Sequence, residues 1–200
     1  MAALSSSAVD GGFADPVFDA QRVFRRIMDA TARPGTIADL GGHAEGPPPL
    51  SPAVAAILAT LADADASVFL EDETARAAAD WIAFQTGAAV LRKPADAAFI
   101  VLRAGSDPSL WHELPLGAQD YPDRSATLIL PVEDLGGGTP LTLTGPGIET
   151  SNVVAPRGLP DGFLAARAAN ASLYPRGQDL FITAGSYMMA LPRTTRIEEA

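Results

Sequence analysis

The hydrophobic pattern of the chain centres on the run from Ala126 to Leu130, which is rich in apolar and strand-forming residues. A short continuous run of this kind is typical of a strand that is covered on both faces, and therefore central in a layered α/β sheet. The residues before it, Tyr121 to Ser125, are polar. There Pro122 fixes φ for a turn, and Asp123 can bond to nearby backbone. We therefore expect a rigid polar rim at the start of a central strand.

Helical spacing of apolar residues predicts four helices. The first begins at Asp15 and Pro16, a capping residue followed by proline at the first helical position. Its expected core face consists of Val17, Ala20, Phe24, Ile27, Met28 and Thr31. The other helices are expected from Ser51-Pro52, over Thr74 to Thr86, and after Pro160-Asp161-Gly162.

Strand patterns alternate with these helices. They cover Ser67 to Leu70, Ala88 to Leu91, Ala97 to Arg103, Leu141 to Thr144, Asp179 to Ala184 and Tyr187 to Leu191. Gly185-Ser186 suits a hairpin turn between the last two, and Pro108 to Glu113 suits a short helical turn. This order predicts an α/β fold with a mixed sheet flanked by helices. We expect residues 1–12 to form a flexible tail and residues 13–200 to form one domain.

Composition narrows the function classes. The chain has 200 residues and a formal net charge of −10, so its overall field disfavours nucleic acid and anionic membranes as partners. No apolar run is long enough to span a bilayer, and the first residues lack the pattern of a secretory signal. The chain has no cysteine, which excludes thiolate metal ligands and cysteine nucleophiles. A cytoplasmic protein is expected.

Basic residues and histidines carry the remaining candidate chemistry. All basic residues except Lys93 are arginine, which favours fixed, forked contacts to carboxylate or phosphate. The only histidines are His43 and His112, and the position four residues after His112 is Leu116, so the two-histidine zinc motif fails. We expect no metal site. The glycine-rich loops at 136–138 and 145–147 do not lead from a strand into a helix, so neither predicts a phosphate-binding loop.

Four segments of the chain, taken in order, resemble the PhnH family, the H subunit of the bacterial carbon–phosphorus (C–P) lyase complex. They are Phe13 to Gln21 running on to Ala32-Arg33-Pro34-Gly35-Thr36, Tyr121 to Thr127, Leu143 to Ile148, and Tyr174 to Asp179 with Leu191 to Arg196. The resemblance implies a fold similar to type I pyridoxal-phosphate transferases, and a homodimer. The apolar segment Tyr187-Met188-Met189 is an expected surface for self-association. It also implies a core complex with the G, I and J components, in which adenine is displaced from ATP by a phosphonate. Radical C–P cleavage would follow on another subunit.

The similarity of fold raises the hypothesis of a pyridoxal-phosphate enzyme, which requires a lysine for the Schiff base. Lys93 is the only candidate, and it stands in a charged turn before Pro94. A lysine in a turn is usually solvated and lacks the desolvation that would make it nucleophilic. We therefore expect no cofactor, and a non-catalytic or co-catalytic subunit.

Candidate residues for binding a ligand or a partner lie in the segments that carry the resemblance. They are Tyr121, Asp123, Arg124, Ser125, Arg33, Arg193 and Arg196. No catalytic residue is assigned. Two alternatives stay open. Asp123 and Arg124 can instead pair with each other or cap a neighbouring element. The chain can also be a stand-alone transferase or hydrolase for a phosphorylated small molecule, using Asp123, Arg124 and Ser125.

Overall fold

The computed structural model describes residues 10–42, 44–73 and 77–200. The helices are α1 (Pro16–Ala32), α2 (Pro52–Leu61), α3 (Ala79–Thr86) and α4 (Phe163–Ala171). The strands are β1 (Gly12–Phe13), β2 (Ala38–Asp39), β3 (Ala44–Glu45), β4 (Val68–Leu70), β5 (Val90–Leu91), β6 (Phe99–Val101), β7 (Thr127–Pro131), β8 (Leu141–Thr144), β9 (Asn152–Val154), β10 (Asp179–Ala184), β11 (Tyr187–Leu191) and β12 (Arg196–Glu199). Residues 1–9 of the expected tail, the start of the third expected helix at 74–76, and His43 lie outside the described residues.

The main sheet has seven strands in the order β2-β11-β10-β7-β6-β4-β5. Five of these strands, β10, β7, β6, β4 and β5, run parallel to one another. Strand β11 is antiparallel to both β10 and β2. The predicted mixed sheet is therefore confirmed, and so is the hairpin turn at Gly185-Ser186, because Ala184 pairs with Tyr187.

Strand β7 lies at the middle of this sheet and is buried on both faces, as its apolar run predicts. Ile129 packs in a core cluster with residues of α1, α2 and α3. Leu128 and Leu130 pack in a second cluster with Phe163 of α4 and Leu143 of β8. Successive side chains of a strand point to opposite faces, so β7 contributes to both cores. The molecule thus has helices α1 to α3 on one face of the sheet, and α4 with a smaller sheet on the other.

Helix α1 has the predicted limits but not the predicted core face. The side chain of Asp15 accepts a hydrogen bond from the N–H of Phe18 at 3.3 Å, as expected of a capping residue. The apolar residues buried on the helix are Val23, Ile27 and Ala30. Of the expected core face only Ile27 is buried, whereas Val17, Phe24 and Met28 are exposed. The helix has two adjacent apolar stripes, and spacing alone cannot decide which of them meets the sheet.

The sequence pattern did not reveal the second sheet, which has the order β12-β8-β9 and is antiparallel. Strand β9 has only three residues and β12 is largely polar, so neither has an apolar pattern of its own. Gly12, placed in the expected tail, instead forms β1 with Phe13 and pairs with Glu45 of β3. In the part of the chain that the structure describes, no helix is long and apolar enough to cross a membrane.

Candidate functional site

The polar rim before β7 forms one turn of 3-10 helix, Pro122–Arg124. Tyr121, Asp123 and Arg124 are exposed, and the guanidinium of Arg124 lies 4.1 Å from the centroid of the Tyr121 ring. Such a cation–π contact holds the arginine over the ring while leaving its edge open to solvent. Arg124 forms no ion pair with Asp123 or with any other described carboxylate. The expectation of an Asp123–Arg124 pair is therefore wrong.

Arg193 connects this rim to two other parts of the chain. Its Nη2 donates to Oδ2 of Asp179 at 2.6 Å and to Oγ of Ser125 at 2.7 Å, and its Nε donates to Oδ1 of Asp179 at 3.3 Å. Its Nη1 donates to the carbonyl oxygens of Pro122 and Pro175 at 2.9 and 3.2 Å. Every N–H of the guanidinium thus has an acceptor within the protein. Arg193 positions the rim and has no donor left for a ligand.

The oxygen of the Ser125 hydroxyl takes part in the same contact, because it accepts a hydrogen bond from Nη2 of Arg193. A guanidinium stays protonated and cannot remove a proton from a serine. The arrangement at Ser125 is therefore that of a structural hydrogen bond rather than of an activated nucleophile.

A second buried arginine, which the sequence reasoning did not select, lies beside this cluster. Arg167 of α4 donates through Nη1 to the carbonyl oxygen of Gln178, and through Nη2 to those of Leu191 and Pro192, all at 3.0 Å. Its Nε is buried without a partner. The available signal was its spacing, because Phe163, Arg167 and Asn170 recur at helical intervals on the buried face of α4.

The electrostatics of the two arginines are coupled through Asp179. Burial lowers the pKa of Arg167 to about 10, Asp179 opposes this shift, and the like charge of Arg193 adds to it. Arg167 forms no ion pair in the described ranges, and Asp179 is paired with Arg193 at 2.6 Å. Of the two arginines, Asp179 therefore contacts only Arg193, while its charge also acts on Arg167.

Buried amides fix the segment that carries Asp179. Asn170 and the backbone of Gln178 exchange two hydrogen bonds of 3.0 and 2.7 Å. The side chain of Gln178 donates to the carbonyl oxygen of Trp111 at 2.9 Å, and the indole of Trp111 donates to Oγ of Ser106 at 3.1 Å. Fully bonded buried polar groups of this kind hold their backbone in one position.

A cavity of about 530 Å³ lies between α4 and the 3-10 helix Pro108–Glu113. Ala165, Ala166 and Ala169 are among the residues of its apolar wall, and Arg167 is part of its lining. Asp107 and Asp161, both exposed, also line it. Its volume is in the range of small-ligand sites. The cavity can enclose an apolar group close to a buried cation.

The other two candidates, Arg33 and Arg196, are not in contact with the cluster formed by Arg193, Ser125 and Asp179, which we call the Arg193 cluster. Arg33 follows α1 and pairs with Asp29 at 3.5 Å, with both side chains exposed. Arg196 is exposed on β12 and shares no hydrogen bond with Arg193. Within the described ranges no group of three or more acidic or histidine side chains could hold a metal ion. Nδ1–H of His112 donates to the carbonyl oxygen of Ser109, 2.6 Å away.

The four sequence segments singled out above meet in the fold. Pro122, Pro175 and Arg193 belong to three different strand connections and are joined by Arg193 Nη1. The remaining segments pack together at the end of α1. A Cβ atom added to Gly147, which has φ +84°, would lie 2.2 Å from the carbonyl oxygen of Ala32. The four segments thus form two groups, and in each group segments that are distant in the chain are in contact.

The family model described as "Bacterial phosphonate metabolism protein (PhnH)" matches residues 11–198. The chain belongs to the PhnH family. The resemblance drawn from the four segments is therefore confirmed. Within PhnH proteins, this chain is 46% identical over 194 residues to a protein of Rhizobium meliloti (strain 1021), which covers 96% of the chain and 97% of that relative. That protein is named alpha-D-ribose 1-methylphosphonate 5-triphosphate synthase subunit PhnH.

A more distant relative is HtxG of Stutzerimonas stutzeri, named as a candidate C-P lyase subunit protein. It is 32% identical over 178 residues, which cover 88% of this chain and 85% of that protein. Residues 11–198, which the family model matches, include the rim, Arg193 with its partners, and α4. The site described above thus lies within the region shared with PhnH proteins.

Proposed function

We propose that this chain is a subunit of an enzyme complex that processes organic phosphonates. The observation that carries the proposal is the near full-length match to a relative named as a synthase subunit, at 46% identity. By analogy, the chain supports the displacement of adenine from ATP by a phosphonate, ahead of C–P cleavage on another subunit. The G, I and J components are its proposed partners. We place the complex in the cytoplasm, where ATP is available.

The geometry supports a non-catalytic or co-catalytic role better than a stand-alone transferase or hydrolase. Arg193 uses all its donors inside the protein, and Ser125 accepts one of them. Arg193 then has no donor left for a substrate, and in the described residues no base is hydrogen-bonded to Ser125 that could remove its proton. Asp123 and Arg124 are exposed on a turn, where water would compete for any reacting group. These features favour a binding surface.

We also propose that the fold is related to type I pyridoxal-phosphate transferases without retaining the cofactor. The main sheet has five parallel strands and is covered by helices on both faces, which supports a fold related to these transferases. The exposed position of Lys93, directly before the 3-10 helix Pro94–Asp96, supports the loss of the cofactor. A Schiff-base lysine needs a site that desolvates it, and an exposed turn does not provide one.

A homodimer of the isolated chain remains a proposal, but its expected surface needs correction. The sequence suggested that Tyr187, Met188 and Met189 form a sticky surface. Both methionines are fully buried, so this expectation is wrong for them. Tyr187 and Ile37 are about half exposed beside the edge strand β2. These two residues support self-association at the β2 edge, which light scattering of the purified chain at micromolar concentration tests.

The subunit proposal is tested by deleting the chain from a host that grows on methylphosphonate as its only phosphorus source. We expect growth to stop after the deletion and to return when the wild-type chain is supplied. We also expect the chain to co-purify with the G, I and J components. Normal growth after deletion would overturn the proposal. So would purified chain that turns over ATP with a phosphonate without other subunits, which would establish the stand-alone enzyme.

The exposed rim is the proposed contact of this chain with an anionic ligand or with a carboxylate of a partner. Arg124 offers an open guanidinium edge in a molecule of net charge −10, so a local donor is needed to attract an anion. We expect Arg124→Ala to fold normally, because an exposed cation–π contact contributes only about 0.5–1 kcal/mol. We expect the variant to fail to support growth on methylphosphonate, or to fail to join the complex. Normal growth with normal assembly refutes a functional role for Arg124.

A further inference from the structure

Helix α1 presents an apolar stripe to solvent, in addition to the face that packs on the sheet. Val17 is 73% exposed, Phe24 46% and Met28 52%. Their spacing of seven and four residues places all three side chains on one side of the helix. Large exposed apolar groups that form a continuous surface mark sites of protein contact, whereas scattered ones do not. This stripe adjoins the buried face of Val23 and Ile27, so a partner placed there would extend the core.

Arg25 borders the stripe, whereas Arg22 and Arg26 lie further around α1, since successive helix residues are about 100° apart. Arg22 pairs with Asp19 at 3.0 Å, and Arg26 donates to the carbonyl oxygen of Asp39. Arg25 is exposed and forms no ion pair in the part of the chain that the structure describes. An unpaired cation is notable in a chain with 24 acidic and 14 basic residues. The surface therefore combines an apolar centre with a local positive edge.

We propose that α1 is a docking helix, whose Val17–Phe24–Met28 stripe occupies an apolar groove of another protein and whose Arg25 meets a carboxylate at the rim of that groove. This inference rests on the proposed function, since it assigns the surface by which the subunit joins its complex. A helix in a groove is anchored by apolar residues spaced along one face. The charge at the rim selects the partner and the direction of binding.

The distribution of charge favours a different protein over a second copy of this chain. A two-fold contact between identical stripes places its axis near the middle of the stripe, and Arg25 borders the stripe close to that point. Residues close to a two-fold axis meet their own copies. Such a dimer would bring the arginines of both copies together, and like charges across an interface are unfavourable. A partner with acidic residues around its groove has no such repulsion.

The experiment compares substitutions of the full chain co-expressed with the other components of the complex. Met28→Asp places a charge in the stripe. Its control is Leu110→Asp, because Leu110 is also 52% exposed but lies beside Trp111, which packs on the opposite face of the sheet. Arg25→Glu reverses the charge at the rim, and Arg92→Glu is its control on an exposed turn. Unchanged melting temperatures of the isolated variants show that each of them folds.

We expect Met28→Asp and Arg25→Glu each to weaken assembly at least tenfold, and the two controls to assemble as the wild type does. If the wild type itself fails to assemble, the proposed function fails. If the wild type and all four variants assemble equally, the function stands and the docking helix is refuted. If only Met28→Asp weakens assembly, the acidic rim is refuted. If Met28→Asp assembles normally but no longer forms a dimer of the isolated chain, the stripe binds a second copy of this chain and the proposal is refuted.

A photo-crosslinking amino acid at position 28 tests the chemistry of the occupant directly. We expect it to crosslink within the assembled complex to an apolar segment that has aspartate or glutamate next to it in the partner. The same crosslinker at position 110 provides the matched control. A crosslinked peptide without acidic neighbours, or one derived from this chain itself, would overturn the proposal.

Discussion

Removing the side chain of Arg193 tests whether this residue holds three distant parts of the fold together. The fork to Asp179 is a charge-assisted contact, for which about 1.5–3 kcal/mol is typical, and each hydrogen bond to Pro122, Pro175 or Ser125 contributes roughly 0.5–1.5 kcal/mol. The side chains of Arg193 and Asp179 are 15% and 32% exposed, so water replaces part of these contacts in the variant. We expect Arg193→Ala to lower the free energy of unfolding by about 3 kcal/mol.

Such a loss is measurable by urea denaturation and by thermal unfolding. For a chain of this length, about 3 kcal/mol corresponds to a fall in melting temperature of roughly 6–12 °C. Arg193→Lys keeps the charge but cannot reproduce the fork, so we expect about half of that loss. The matched control is Arg196→Ala, an exposed arginine three positions later, for which we expect a change within about 0.5 kcal/mol. If Arg193→Ala and Arg196→Ala unfold within about 1 kcal/mol of each other, the assigned role of Arg193 is wrong.

Three further predictions concern other parts of the fold. Gly35→Ala should destabilise the protein by at least about 1–3 kcal/mol in urea denaturation, because Gly35 has φ +83° and a Cβ atom would lie 2.6 Å from Leu143. Arg167→Met should cost about 3 kcal/mol by the same assay, since it removes three hydrogen bonds to the carbonyl oxygens of Gln178, Leu191 and Pro192, and a smaller loss than Arg196→Ala would contradict this. Hydrogen bonds from the side chain and backbone of Ser109 hold the pKa of Asp107 below its usual value of 3.8, so this cap stabilises the fold above that pH and is lost as the pH falls through the lower folded pKa. Between pH 5 and pH 3, the urea concentration at the unfolding midpoint should therefore fall more for the wild type than for Asp107→Asn.

The sequence predicted the elements whose signal is local. The apolar run of β7 indicated a central strand, because only a strand covered on both faces tolerates consecutive apolar residues at its core. The capping residue Asp15 and the adjacent proline fixed the start of α1. Strands β9 and β12 were missed because β9 has only three residues and β12 is mostly polar, so neither shows an apolar pattern long enough to predict a strand.

The candidate site shows the same division between local and long-range information. The rim turn was placed correctly from its proline and its polar residues. The role of Arg193 depends on a bond to Ser125, 68 positions away in the chain, which no spacing rule indicates. Arg167 was overlooked because an arginine on a helix is usually solvated, and only the packing of α4 shows that it is buried.

The position of β10 has a consequence for biosynthesis. Strand β7 is the middle of the main sheet, yet one of its two parallel neighbours is supplied by Asp179–Ala184, late in the order of translation. A nascent chain that ends before this segment therefore exposes the backbone of this central, apolar strand along one side. Open strand edges of this kind recruit other chains, which makes the incomplete polypeptide prone to aggregate. Cells that produce this protein should protect it with chaperones until Leu191 has left the ribosome and the hairpin of β10 and β11 can close over β7.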